Sequence, residues 1–393
     1  MSKSTYIIVS GFLSLGFLGN FLSQNILFIL FMFWTVGGFC FYSGYSDLYT
    51  NKNRFIVFLF LVLFFFSALT PIFRYNQDII ATAVAMRGNL VVLFLLVLFK
   101  IKPEEEDFYK AFHFLAIAAL VLSVFVYVFP QFFVSEERIR SLLIRQSRGS
   151  TDIIVSWPGS AAVVFYFYMT LGRMIERSQN KDFLWCTICL TYIFVMQNRS
   201  TLLGTVPFYL YGLLKTDIKY KNLIIFLIVI TTGGFIYNIA SSLIEESTTQ
   251  LNDEKYNRWQ AVSFFLFEQK NNIYTILFGH GVPCAGSAYL AYLFDAQNTR
   301  YAIASDIGMF GSYFFYGISV LGIIYYYIFN GIIRKDIPLY VKFYSLWILF
   351  VPTIHSFAQG VALGGTFKLL LIIYLIVYYS KRSQRIVYMR NIV

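Results

Sequence analysis

The sequence predicts an all-α integral membrane protein, and two observations carry that prediction. Of its 393 residues, 58% are hydrophobic, 20% are aromatic and only 13% are charged. This composition is far from that of a soluble globular domain. The hydrophobic residues also fall into successive runs of roughly 17–25 positions, long enough for a helix to cross about 30 Å of hydrocarbon. We therefore expect a polytopic helical bundle.

About twelve spans are predicted, within a single membrane domain that covers residues 1–393. The first apolar run lacks the small-residue exit of a cleaved signal peptide, so we expect it to remain as a span. A long polar segment, residues 244–304, separates the ninth and tenth spans. The predicted spans are Tyr6–Leu22, Ile26–Tyr45, Phe55–Phe73, Ile79–Phe99, Ala111–Val134, Ile153–Arg173, Phe183–Gln197, Leu202–Leu214, Leu223–Leu243, Asp306–Asn330, Tyr340–Phe357 and Val361–Tyr379.

Basic residues set the expected orientation, because lysine and arginine in short loops are retained on the cytoplasmic side. The pattern is consistent when both termini are cytoplasmic, which places residues 244–304 outside as one large external loop. The basic residues of the predicted cytoplasmic loops include Lys52, Lys100, Lys102, Arg334, Lys335 and Lys381.

Arginine outnumbers lysine in the predicted outer loops. Guanidinium groups bind phosphate bidentately, so this face is expected to bind a phosphate-bearing anion, or alternatively the headgroups of anionic lipids. Arg138, Arg145 and Arg148 would share one side of a helix, which is either a substrate-binding strip or an interfacial helix on the membrane. The outer arginines are Arg74, Arg138, Arg140, Arg145, Arg148, Arg199, Arg258 and Arg300.

Two cations lie well inside predicted spans, away from their ends. Arg87 is about two helical turns inside the fourth span, where a charge needs a partner or a water-filled cavity. Asp47, Asp78 and Asp306 are its candidate partners. Lys368 is long enough to snorkel toward the cytoplasmic interface, so it is not taken as a site residue.

No phosphate-binding loop, dinucleotide glycine pattern or metal-ligand spacing of histidines is present, so we expect a metal-independent site without a cofactor and no nucleic-acid partner. Cys186 and Cys189 form a CxxC inside an apolar run, where both are expected to behave as small hydrophobes.

From Gln197 to Gly322, the order of motifs resembles that of the Wzy-type O-antigen and exopolysaccharide polymerases, and more distantly the O-antigen ligases. The order is QNRSTLLG, two spans, an external loop with RW and LFGHG, then SD and a span with GISVLG. The resemblance implies a GT-C-like membrane bundle in the bacterial cytoplasmic (inner) membrane.

The resemblance also implies an activity. The chain would be an inverting glycosyltransferase that polymerises oligosaccharide repeats linked to undecaprenyl pyrophosphate on the outer face of the membrane. Membrane lipids, a chain-length regulator and a flippase of the same pathway would be its partners. An O-antigen ligase, or a flippase or exporter of lipid-linked oligosaccharide, is the alternative.

The matching positions supply the site residues. Arg199 and Arg258 match outward-facing arginines that are thought to hold the pyrophosphate, and residues 279–281 match the family's glycine turn. Arg87, Arg145 and Arg148 are further candidates for binding the anion or the glycan. Ser305 and Asp306 stand where the ligases carry a histidine, which favours the polymerase.

Asp306 and His280 are the candidate catalytic bases, because a carboxylate or an imidazole near the membrane edge can accept the proton of an attacking hydroxyl. Each also has a structural alternative. Asp306 would serve as an N-cap of the tenth span, and His280 would fill the turn between Gly279 and Gly281.

Overall fold

The computed structural model of the protein describes residues 1–18, 22–129, 158–195, 199–216, 257–269, 271–300, 309–354 and 363–390. Within these ranges every regular element is a helix. The prediction of an all-helical chain is therefore confirmed for the part of the chain that the structure describes.

The helices are numbered here in chain order. A 3₁₀ segment (Arg87–Leu93) joins α4 to α5, and a π-helical segment (Phe264–Glu268) continues α10. The α-helices are α1 (Lys3–Ser14), α2 (Gln24–Phe41), α3 (Asn51–Tyr75), α4 (Ile79–Met86), α5 (Phe94–Ile101), α6 (Glu105–Val128), α7 (Ser160–Arg177), α8 (Asn180–Val195), α9 (Arg199–Lys215), α10 (Asn257–Ser263), α11 (Ile273–Phe278), α12 (Ala288–Arg300), α13 (Met309–Ile333), α14 (Leu339–Ile354) and α15 (Leu363–Arg390).

Four helical stretches within the described residues are long and apolar enough to cross a membrane. They are Asn51–Tyr75, Ile79–Ile101, Glu105–Val126 and Met309–Ile333, and Asn25–Phe41 and Leu339–Leu349 are shorter apolar helices. The predicted span Leu223–Leu243 lies entirely outside the described residues. The described part of the chain thus has the helices of a membrane protein, and the number of twelve spans stays a prediction.

The first predicted span, Tyr6–Leu22, differs from the helix in the structure. Helix α1 has 12 residues and ends at Ser14. Soon after that end, Gly16 has a φ of 82°, a left-handed conformation that stops an α-helix. A hydropathy run continues through this turn because Leu15 and Phe17 are also apolar and buried.

Short polar side chains begin several helices, as expected for N-caps. Thr50 accepts a hydrogen bond from the backbone N–H of Asn53 at 3.3 Å, at the start of α3. Asp78 accepts one from Ala81 at 2.9 Å, at the start of α4. These caps separate consecutive apolar runs into distinct helices.

Helix α7 lies at the centre of one half of the bundle. Every residue from Ala162 to Met174 is buried, so neighbours surround the helix on all sides. It packs against α6, α8, α9 and α14. A Cβ at Gly172 would lie 2.8 Å from the Cβ of Tyr340, which shows how closely α7 and α14 approach.

An ion pair joins α6 and α7 at the end predicted to be cytoplasmic. Arg173 Nη2 lies 2.7 Å from Glu106 Oε2. The guanidinium carbon of Arg173 also lies 3.5 Å from the ring centroid of Tyr109, a cation–π contact. The arginine therefore links the two helices through both its charge and its flat face.

Helix α13 is broken at Gly317, which has φ 70° and ψ 179°. At a break, the carbonyls of the preceding turn lose the backbone N–H donors that a continuous α-helix would provide. Those carbonyls accept bonds from a distant loop: the N–H of His280 donates to Phe314 O at 2.6 Å, and the N–H of Gly281 donates to Phe315 O at 2.9 Å. The loop thus takes the place of the missing helical donors.

Helix α3 holds the other side of the same loop. Ser67 Oγ donates to Phe315 O at 2.8 Å, and Thr70 Oγ1 donates to Gly279 O at 2.8 Å. A Cβ at Gly281 would lie only 2.3 Å from Cγ of Pro71, so the backbone of the loop rests directly on α3. Two helices and one loop therefore share a single network of hydrogen bonds to the backbone.

Substitution of Gly317 tests this break. Gly317→Ala would force a residue with a Cβ into positive φ and place that Cβ 2.3 Å from Leu277 O. We expect it to lower the free energy of unfolding by at least about 2 kcal/mol, because such strain costs roughly 1–3 kcal/mol before any clash is counted. Thermal unfolding of the purified protein in detergent measures the loss.

Gly322 provides the matched control for this prediction. It lies in the same helix, and a Cβ added there would have no other atom within 4 Å. We expect Gly322→Ala to leave Tm unchanged or to raise it slightly. Equal Tm values for the two alanine variants would contradict the described break.

Candidate functional site

The structure describes the predicted site residues to different extents. His280 and Arg87 are described with their side chains. Arg199 begins α9 and Arg258 lies in the first turn of α10, but their side chains are outside the described part. Asp306, Arg145 and Arg148 lie outside the described residues altogether. Their roles stay predictions.

The glycine turn, residues 279–281, has the backbone that its sequence predicts. Gly279 has a φ of 79° and Gly281 a φ of 70°, both in the region that favours glycine. At Gly279 a Cβ would lie 2.4 Å from the carbonyl of Phe315. The two glycines therefore let the loop approach α3 and α13 closely enough for backbone hydrogen bonds, with His280 fixed between them.

Two side chains engage both ring nitrogens of His280. Nδ1 lies 2.9 Å from Tyr75 Oη, and Nε2 lies 3.0 Å from Asn271 Oδ1. A neutral imidazole with its proton on Nε2 satisfies both contacts, because Nδ1 then accepts from the tyrosine and Nε2 donates to the amide oxygen. The ring also stacks on Phe314, with centroids 4.4 Å apart.

This environment weakens His280 as a base. The residue is only 1% exposed. Burial, and then the nearby Arg74 guanidinium, lower its pKa from 6.5 to about 3. Its one lone pair is already occupied by the Tyr75 hydroxyl. The geometry therefore favours the structural alternative, in which His280 fills and fixes the turn.

Aromatic rings form a wall beside the turn. Tyr75 and Tyr289 are stacked with centroids 3.9 Å apart and planes 6° from parallel. Tyr289 Oη donates to Gly281 O at 3.2 Å. Tyr292, on the exposed side, lies 6.4 Å from the Tyr75 ring centroid. Helix α12 is thereby attached to the end of α3.

Arg74 lies beside this wall. Its guanidinium carbon lies 5.6 Å from the ring centroid of Tyr75, and its charge contributes to the lowered pKa of His280. Arg74 is one of the arginines in the predicted outer loops, and nothing in the sequence distinguishes it from the others. Its proximity to the glycine turn depends on packing between segments about 200 residues apart.

The helix that carries Arg258 is connected to the same region. Phe265, about two helical turns after Arg258, packs on Phe314 with ring centroids 4.7 Å apart. Gln269 Nε2 then donates to Tyr292 Oη at 2.9 Å. The chain between Arg258 and the glycine turn is therefore attached to α12 and α13.

Gln77 completes the attachment of the loop. Its Oε1 accepts from the N–H of Cys284 at 2.9 Å, and its Nε2 donates to Val282 O at 3.3 Å. The side chain is buried, and both of its amide atoms are used. Residues 279–284 are thus held by Thr70 of α3 and by Gln77, which lies just after the helix.

Arg87 lies where α4 gives way to the 3₁₀ segment. Its Nη2 donates to Asn25 Oδ1 and its Nη1 to Val84 O, and the side chain is half-buried. Its partners are an amide and a backbone carbonyl in place of a carboxylate. Of the three candidate partners, Asp47 and Asp78 do not pair with Arg87, and Asp306 lies outside the described residues.

The expected carboxylate partners of Arg87 are engaged elsewhere or not described. Asp47 Oδ1 lies 2.8 Å from Lys102 Nζ. Asp78 caps α4 through the N–H of Ala81. Arg87 therefore pairs with neither aspartate, because Asp47 binds Lys102 and Asp78 binds the backbone of α4.

The 3₁₀ segment reaches the break in α13 through one hydrogen bond. Tyr316 Oη donates to Asn89 Oδ1 at 3.1 Å, while the buried Asn89 Nδ2 has no hydrogen-bond partner among the described residues. Both residues line a cavity of about 40 Å³ together with Ser312 and Thr366. A volume of this size accommodates water.

Lys368 lies near an aromatic ring, and its snorkelling toward the cytoplasmic interface stays a prediction. Its Nζ lies 5.8 Å from the ring centroid of Trp347, between α14 and α15. Cys186 and Cys189 are free and buried in α8, as expected for small hydrophobes.

Among the described residues, no group of three His, Cys, Asp or Glu side chains could hold a metal ion.

The lowered pKa of His280 predicts a pH dependence of stability. Above about pH 6.5 the imidazole is neutral in both states, whereas between pH 6.5 and about 3 only the unfolded chain takes up the proton. The free energy of unfolding therefore falls with decreasing pH, by about 1.4 kcal/mol per pH unit at most from this group. Thermal unfolding in detergent measures the slope.

His280→Gln is the control, because glutamine offers a donor and an acceptor but does not titrate in this range. We expect the wild type to lose more stability than the variant as the pH falls below about 6.5. Identical pH slopes for the two proteins would contradict the buried, neutral imidazole.

No model of a known protein family matches this chain, and no curated protein matches it. The resemblance to Wzy-type polymerases therefore rests on the motifs between Gln197 and Gly322. The function is argued below from those motifs and from the arrangement of the described residues.

Proposed function

We propose that this protein is an integral membrane glycosyltransferase of the Wzy type. It polymerises polyprenyl-pyrophosphate-linked oligosaccharide repeats into a surface polysaccharide on the outer face of the bacterial cytoplasmic membrane. The proposed fold is a GT-C-like bundle of about twelve spans. The observation that carries the proposal is the attachment of the segment after Asn257 to the break in α13 and to the end of α3.

Broken helices support a polar site in this region. Non-helical backbone at membrane depth is tolerated only where it is buried in protein or lines a water-filled cavity. Here three irregular points lie together: Pro71 within α3, the 3₁₀ segment 87–93 and the break at Gly317. A lipid-linked glycan needs such a polar site next to hydrocarbon, since one end of the substrate is sugar and the other is an isoprenoid chain.

Fixed positioning supports an enzyme in particular. Group transfer needs donor and acceptor held in one geometry, and side chains on attached elements provide this better than those on a free loop. Arg258 precedes the packed Phe265, and Arg74 lies beside the packed Tyr75. Cations at such positions are suited to hold a diphosphate.

The proposed reaction needs two kinds of group. The hydroxyl of the acceptor sugar attacks the anomeric carbon of the donor, a new C–O bond forms with inversion, and the bond to the diphosphate breaks. The diphosphate leaves on its polyprenyl chain as an anion, which Arg199 and Arg258 stabilise. Asp306 accepts the hydroxyl proton, since both ring nitrogens of His280 are occupied.

One observation favours a second candidate, a flippase or exporter of lipid-linked oligosaccharide. Such a protein should carry cations deep in several spans. Besides Arg87, Lys368 lies between two helices, over Trp347. Intramembrane cations commonly mark a substrate path.

A deletion strain separates the candidates. Single repeats on the cell surface, with long chains restored by the intact gene, support the polymerase. The absence of any surface repeat would support a flippase or exporter instead. Long polymer that accumulates on its lipid carrier would support a ligase. A gel of surface glycans distinguishes the three results.

Arg258→Ala tests the diphosphate site. We expect long polymer to disappear, because removal of one preorganised donor to a developing anion lowers a rate by about 10²–10³. Surface glycan from the complemented deletion strain is the measurement, with immunoblots to show equal protein in the membrane.

Arg54→Ala is the matched control, since it removes the same charge at the other end of the bundle, where Arg54 is exposed and contacts the nearby Asn51 and the ring of Tyr49. Polymer should be normal in this variant. Normal polymer in Arg258→Ala as well would remove Arg258 from the site.

A further inference from the structure

A second cationic site lies at the opposite end of the bundle, where α3 begins, α13 ends and α15 passes between them. A cavity of about 420 Å³ opens there, and we call it the basic cavity. Ligand pockets typically measure about 300–1,000 Å³. Its walls include Lys52, Arg334, Lys381, Tyr326, Ile56 and Ile376.

The charge of the basic cavity has one sign. Three of its lining residues are cations and none is an aspartate or a glutamate. Among the described residues, Lys52 and Lys381 form no ion pair. No described carboxylate therefore lies within ion-pair distance of these two ammonium groups, although Asp47 and Glu104 line a neighbouring cavity together with Lys381.

Arg334 is arranged to offer one further donor. Its Nε and Nη2 bind the two carboxylate oxygens of Asp336, at 3.0 and 2.7 Å. This bidentate pair fixes the plane of the guanidinium and leaves Nη1 outside the pair. The arginine is thus held in place before any ligand binds.

The remaining walls are suited to a lipid. Ile56 and Ile376 belong to apolar stretches of α3 and α15, and Tyr326 is 63% exposed near the end of α13. A tyrosine at this depth is typical of a membrane interface. The cavity therefore combines cations with apolar surface that continues along the helices.

We propose that the basic cavity binds the phosphate headgroup of an anionic membrane phospholipid, with the lipid tail against α3 and α15. Basic pockets between spans on the cytoplasmic side recognise such headgroups, and positive charge here agrees with the predicted cytoplasmic end. The proposal depends only on a membrane location and holds whatever reaction occurs at the other end.

Lipid binding to the purified protein in detergent tests the proposal. Phosphatidylglycerol is titrated against the wild type and the double variant Lys52→Gln/Lys381→Gln, and bound lipid is counted by native mass spectrometry. We expect binding to weaken about 30-fold in the variant, since each lysine near a lipid phosphate contributes about fivefold. Phosphatidylcholine should bind more weakly to the wild type.

Two further variants distinguish the site from net charge. Lys110→Gln/Lys181→Gln removes the same charge from exposed residues outside the cavity and should bind phosphatidylglycerol normally. Lys52→Arg/Lys381→Arg should also bind, which would show that the cavity needs charge and tolerates the exchange.

Three outcomes would overturn the proposal. Equal binding by the wild type and the glutamine double variant would show that the cavity is not the site. Equal loss in the Lys110/Lys181 control would show an effect of net charge alone. Displacement of phosphatidylglycerol by inorganic phosphate at equal concentration would identify a site for soluble anions in place of a lipid.

Discussion

The break in α13 at Gly317 is the constraint on which the described end of the bundle depends. A backbone carbonyl without a donor costs several kcal/mol in hydrocarbon. The carbonyls of Phe314 and Phe315 find their donors in His280 and Gly281. The glycine turn is therefore packed against α3 and α13, and it belongs to the segment that the sequence predicts as an external loop. Without the turn, Phe314 O would lose the N–H of His280, whereas Phe315 O would keep the hydroxyl of Ser67 as a donor.

Side chains add further hydrogen bonds to the glycine turn. Tyr75 and Asn271 hold the imidazole of His280. Because both ring nitrogens of the imidazole are engaged, the side chain fixes the conformation of the turn. The two ends of the molecule differ accordingly. One end has a firmly attached polar segment, which is suited to chemistry. The other has a cluster of cations around an amphipathic cavity, which is suited to anchoring the protein to lipid.

Much of the fold follows from local sequence, whereas the site mostly does not. Apolar runs predict α3 and α6, and the glycines at 279 and 281 predict a tight turn. Gly317 gives no such signal, because GISVLG reads as continuous helix until the neighbouring loop is known. Likewise, Asn25 could not be predicted as the partner of Arg87. The two residues are 62 positions apart, and an asparagine in a sequence does not by itself indicate a partner for an arginine.

Hydrogen–deuterium exchange of the amides of His280 and Gly281 tests the central claim most directly. Both donate to carbonyls of α13 next to the break, and both residues are buried. The account predicts that a peptide covering residues 279–284 exchanges as slowly as peptides from α3. Exchange of that peptide at the rate of a free loop would contradict it, because the loop would then not be attached to the broken helix.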